Sequence, residues 1–232
     1  MGRFVTFAFF AGLGAYSALL LATEAATSQD FVRHYFSDID GGRPFFAINT
    51  TVSTMLLACA ATLLVFAACS ARPNTPVRTL FLLWGQAGLL AFLAFDDRFQ
   101  LHEALAYRLE IGDHFIMLGW AGLELGLLLA TARRDQIPFS TFLWTGLGGG
   151  FFVLMMVFDA LVPHDMIMRL SIEDLAKSWA AAFFLAAAWT LAQFHIGLSP
   201  QEHTLGDVVH KFASSSLSKL AGTGPVPLRE DA

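Results

Sequence analysis

Charged side chains are scarce in this chain. Asp, Glu, Lys and Arg make up 14% of its 232 residues, where a soluble domain carries about 25%. What charge there is leans slightly acidic, with a net of −5. No basic patch alternates with aromatic residues, so nothing argues for nucleic acid as a partner. Cysteine is nearly absent. Cys59 and Cys69 fall in one apolar segment without C-x-x-C or metal-ligand spacing, which excludes a disulfide framework and leaves small core residues. The chain also lacks G-x-S-x-G, a phosphate loop, a dinucleotide fingerprint, H-x-x-x-H, H-E-x-x-H and any repeated E-x-x-H. No internal repeat is evident.

Apolar side chain is what the sequence has in excess. Hydrophobic residues make up 56%, and 23 residues are Phe. Apolar segments cover roughly 4–23, 47–70, 77–95, 115–132, 139–161 and 174–196. Each is long enough to cross a hydrocarbon core about 30 Å thick. The expected fold is all-α, a polytopic transmembrane bundle of about six spans over residues 1–196, set in the lipid bilayer as its first partner. Residues 197–232 read as a polar tail, partly disordered near "AGTGPVPLREDA", with "HTLGDVVHKFASSSLSKL" able to form a surface amphipathic helix. The first segment exceeds a signal-peptide core and lacks Ala-x-Ala at "TEA", so a retained helix is expected.

Loop charge sets the expected orientation. With the N-terminus cytoplasmic, Arg3, Arg72, Arg78, Arg133, Arg134, Lys211, Lys219 and Arg229 lie inside, and Arg33, Arg43, Arg98, Arg108 and Arg169 outside. Both termini are then cytoplasmic.

This orientation gathers the ionisable residues on the outer side. Segment 3 ends at Asp96 and Asp97, segment 4 begins near Asp113 and His114, and segment 5 ends at Asp159, with His164 and Asp165 following. Segment 6 begins at Glu173 and Asp174, with Lys177 a turn deeper. If helix 3 continues past the membrane, Asp96, Gln100, Glu103 and Tyr107 share one face and His102 an adjoining one. Ser171 could cap the last helix, with Asp174 three residues on. Lys177 needs an anion, for which Glu173, Asp97 and Asp159 are candidates. Glu124 lies near the midplane, about 15 Å into its helix, where a carboxylate faces the bundle interior or a partner. It would extend the polar path inward from His114. Gly119, Gly122 and Gly126 mark a close-packing stripe beside it. The candidate catalytic residues are Asp96, Asp97, Glu103, Glu124, Glu173, Asp174 and Lys177. The candidate metal ligands are His102, His114 and Asp159, for a divalent metal as cofactor.

The stretch "DDRFQLHE" at 96–103 resembles the D-[D/E]-x-F-x-[L/I]-H-E element of a group of bacterial multi-pass membrane proteins. In these an acidic pair and a lysine or second acid open the last helix, as "EDLAK" does at 173–177. The resemblance implies a polytopic fold. The gathering of Asp, His and Ser at one side of a bundle is also similar to the alkaline-ceramidase-like membrane hydrolases, though without their paired H-x-x-x-H in the last helix. Three functions follow as expectations: a metal-dependent hydrolase of a lipid-like substrate, a proton- or cation-coupled transport protein, and a structural subunit bound to a membrane-protein partner or to further copies of itself.

Overall fold

The computed structural model describes residues 3–32, 36, 48–132, 137–163 and 166–197. The expectations for the tail beyond Gly197, and for His164 and Asp165, fall outside these residues. The described chain is helical: α1 (Arg3–Ala26), α2 (Gln29–Val32), α3 (Ile48–Cys69), α4 (Val77–Phe99), α5 (Leu101–Leu109), α6 (Asp113–Thr131), α7 (Phe139–Leu161) and α8 (Arg169–Ile196). All but α2 and α5 are long and apolar enough to cross a membrane, six in all. A helix satisfies its own backbone polar groups, which hydrocarbon cannot do.

The boundaries have local causes. Pro76 and Pro138 stand immediately before α4 and α7, at φ −57°, where a missing N–H is harmless. Gly197 ends α8 at φ 79°, its N–H bonding back to the carbonyls of Gln193 and Phe194; glycine takes this left-handed position without a Cβ penalty.

Two expected boundaries are corrected. Helix 3 does not run on unbroken to Tyr107. Gln100 adopts φ 52°, ψ 42° and breaks the chain between α4 and α5. Such a conformation costs a non-glycine residue about 1 kcal/mol, and the Asp96 carboxylate offsets this by accepting the His102 N–H at 2.8 Å. Gln100 and Glu103 still bond to each other at 3.1 Å, but not as part of a single face with Asp96. Nor does Ser171 cap α8. The helix starts at Arg169, so Ser171 lies within its first turn, buried, with its hydroxyl unpartnered among the described residues.

The core is built around α8, which packs along α7 and α3, while α3 packs on α4. Small residues make this close: Ala60, Ala61, Ala67 and Ala68 of α3 and Ala181, Ala188 and Ala192 of α8 belong to one buried cluster with Leu64, Leu82 and Leu83. In lipid there is little hydrophobic gain from helix association, so close van der Waals contact carries it. Gly148 of α7 lies under the Phe184 ring, where an added Cβ would fall 2.7 Å from the ring. α1 and α6 are peripheral; among the described residues of the spans, the backbone of α1 comes near that of α8 alone, and it reaches α3 and α7 through side chains.

Candidate functional site

Antiparallel crossing brings the ends of α1, α4 and α7 and the starts of α3, α6 and α8 to one end of the bundle. This polar end holds most of the buried ionisable groups. Three linked arrangements make it up.

The first is an ion pair between α4 and α8. Lys177 Nζ sits 2.9 Å from Asp97 Oδ1, off the alignment of a regular hydrogen bond. Asp97 Oδ2 accepts from Ser53 Oγ and, at 3.2 Å, from Thr54 Oγ1 of α3. Of the three carboxylates open to Lys177, the fold selects the one on α4. Beside it, Asn49 Nδ2 donates to Asp174 Oδ2 at 3.1 Å, and Tyr16 OH of α1 donates to Asn49 Oδ1.

The second is a carboxylate–imidazole pair. Asp96 is 2% exposed and holds His102 twice, by its backbone N–H and by Nδ1 at 2.9 Å. A carboxylate can only accept, so Nδ1 carries the proton. Burial is the largest influence on His102 and disfavours its charge. The hydrogen bond and charge of Asp96 act the other way, Glu103 adds to them, and Lys177 opposes them; the net is a pKa above the ordinary 6.5.

The third is a clamp. Arg169 is 5% exposed. It reaches Asp159 Oδ1 at 3.2 Å and Glu173 Oε2 at 3.5 Å, and donates to the carbonyls of Phe158 and Asp159. It thereby stitches the end of α7 to the start of α8. Nearby, Glu24 of α1 accepts the Met168 N–H at 2.8 Å.

A cavity of about 40 Å³ lies between the first two arrangements, lined by Asp96, Asp97, His102 and Lys177 together with Met117 and Phe152. A quarter of the Lys177 side chain, 26%, remains accessible. A space of this size takes one or two waters.

The remaining predicted residues lie outside this cavity. Glu103 is at the rim, its side chain 52% exposed. His114 is half-exposed beside Asp113; both are near enough to act electrostatically on Asp159. Glu124 faces α4, where Gln86 Nε2 lies 2.9 Å from both its oxygens. That pair is ten residues deeper along α4 than Asp96, about 15 Å, and does not line the cavity. His102, His114 and Asp159 do not converge: no group of three His, Cys, Asp or Glu side chains suited to a metal forms among the described residues.

Sequence reasoning missed Tyr16, Asn49, Ser53 and Thr54, and it read Arg169 only as a loop charge. A signal existed in "NTTVST" at 49–54, a polar run opening an otherwise apolar span.

A family model described as a domain of unknown function, DUF8692, matches residues 4–191. The chain belongs to that family. The match takes in every group of the polar end, from Tyr16 to Lys177, so that end is part of the DUF8692 domain. Neither the curated proteins nor the solved structures contain a match to this chain.

Proposed function

We propose that this DUF8692 protein is a multi-pass protein of the bacterial inner membrane, with both termini cytoplasmic, that exchanges protons at its outer face in proton- or cation-coupled transport. One observation carries the reading: His102 and Lys177, each tied to its own carboxylate, line the same small cavity. The Lys177–Asp97 pair supplies fixed charge. His102 is the proton-exchanging group, its pKa raised above 6.5 by the bond and charge of Asp96 against the effect of burial, and Asp96 holds it in one orientation. Protonation of His102 leaves the cavity with two cations and two anions; deprotonation leaves one net negative charge that favours a cation.

The loop arginines support the orientation. A metal-dependent hydrolase of a lipid-like substrate is the weaker alternative, because Nδ1 of His102 is already engaged by Asp96 and the other candidate ligands lie elsewhere.

The test is proton movement in liposomes carrying an enclosed pH-sensitive dye. Wild-type protein should dissipate an imposed gradient, alone or when a monovalent cation is supplied on one side. His102→Gln should lower the rate at least tenfold while keeping the wild-type elution profile. No proton movement under either condition, or an unchanged rate in His102→Gln, overturns the proposal. Stoichiometric metal together with lipid-ester hydrolysis would favour the hydrolase instead.

A further inference from the structure

A second, larger cavity lies toward the opposite end of the bundle, between α1, α3, α7 and α8. It has a volume of about 450 Å³ and is lined by, among others, Phe9 and Phe10 of α1, Cys59 and Leu63 of α3, Trp144 of α7 and Trp189 of α8. We propose that this cavity binds one acyl chain of a membrane phospholipid, with the Trp189 indole N–H donating to the ester carbonyl at the head of the chain.

Four observations lead there. The walls come from membrane spans, so the cavity opens at hydrocarbon depth. Its volume is that of a ligand pocket rather than a packing fault. Its lining is apolar, and the hydroxyls of Thr62 and Thr190 are committed to Ala58 O and to Thr141 and Ala187 O. Water would find too few partners to fill such a space. An empty cavity would forfeit the dispersion contacts of its whole lining, and in a bilayer the filler at hand is an acyl chain.

The architecture holds the cavity open. α1 does not pack against α3 by its backbone among the described residues. At the level of the slot it is held to α7 and α8, through Phe10, which stacks on Trp144 at 5.5 Å and on Phe183 at 5.1 Å, while its bond to α3, from Tyr16 to Asn49, lies nearer the polar end. The Trp179 Nε1–H bond to Ser17 at 3.0 Å fixes the same pair further along. The gap left between α1 and α3 is therefore a built slot.

Trp189 supplies the polar end of the recognition. Its Nε1 is buried and lacks any hydrogen-bond partner among the described residues. Buried indole N–H groups ordinarily find one. Trp189 sits seven residues before the end of α8 at Ile196, about 10 Å from that end.

The experiment uses the full chain purified in detergent and washed until loosely held lipid is gone, followed by extraction and quantitation of phospholipid. About one phospholipid per chain should remain. Ala186→Trp and Thr62→Phe, which fill the slot from α8 and from α3, should lower retention at least fivefold. Trp189→Phe keeps the ring and should weaken retention severalfold. A readout without substitution uses Cys59, which lines the slot, against Cys69, which does not. N-ethylmaleimide should modify Cys59 slowly in the lipid-retaining protein and at least tenfold faster after harsh delipidation, with Cys69 unchanged. Absence of retained lipid, full retention in both filling variants, or a Cys59 rate insensitive to delipidation overturns the proposal. The last result would point to polypeptide in the slot.

Discussion

The two ends of this bundle solve the same packing problem in opposite ways. At the polar end, α3, α4, α7 and α8 are joined by ion pairs and hydrogen bonds among Asp97, Lys177, Ser53, Arg169 and Asp159. Toward the other end the same helices meet through alanines, leucines and stacked aromatic rings, and leave a slot of about 450 Å³. A buried charge tolerates no loss of its partner, because the desolvation cost stays when the attraction is gone. An apolar contact degrades in proportion to the atoms removed. The polar end should therefore be brittle and the apolar end forgiving.

The sharpest break of that contrast is Asp97→Ala. It strands Lys177 and the Thr54 hydroxyl, leaving Ser53 only the Thr50 carbonyl, and should cost about 3–5 kcal/mol, read as a large fall in thermal midpoint in detergent. Adding Lys177→Met should restore at least half of the loss. If the double variant is no better than the single one, the pair is not what makes this end brittle. Arg169→Leu comes next. It removes the clamp on Asp159 and Glu173 and two carbonyl bonds, and should cost about 2–3 kcal/mol.

His102 gives a pH-dependent version of the comparison. Its folded-state pKa lies above 6.5, so the stability it adds is fully present below about 6.5 and is lost as pH rises through the higher folded value. The thermal midpoint of wild type relative to His102→Gln should fall as pH rises above about 6.5. A flat difference would show that the Asp96 bond does not favour the charged ring. The smallest effect belongs to the apolar end. Thr190→Val removes its bond to Thr141, 2.7 Å long, and should cost about 0.6 kcal/mol, as interhelical bonds in membranes average. A loss as large as that of Arg169→Leu would erase the contrast.

The difference between the ends also shows how far the sequence could be read. The six spans were legible because hydrocarbon imposes a length and an apolar composition on each helix separately. The convergence of acids at one end was legible for a related reason, since alternate crossing puts every second loop on the same side. Lys177 announced that it needed an anion. Which anion it would find was not announced, because Asp97 and Lys177 are 80 positions apart and meet only when α4 and α8 both pack on α3.

Local reading misled where one local contact outweighed another. Asp96, Gln100 and Glu103 fit one helical face by spacing, yet a hydrogen bond from His102 N–H to Asp96 and the left-handed Gln100 turn the chain instead. Glu124 was expected to extend the polar path inward from His114, but it bonds to Gln86 of α4 and does not join the polar end.

The sequence by itself determined the class of protein, the number and extent of its spans and the end at which charge collects. These follow from hydropathy and chain direction, which act residue by residue. Only the tertiary structure decided that Asp97 rather than Glu173 or Asp159 holds Lys177, and that α1 stands away from α3 at the slot. Those outcomes depend on how whole helices rotate and tilt against one another to bring alanine against alanine, and on which side chains that rotation leaves face to face.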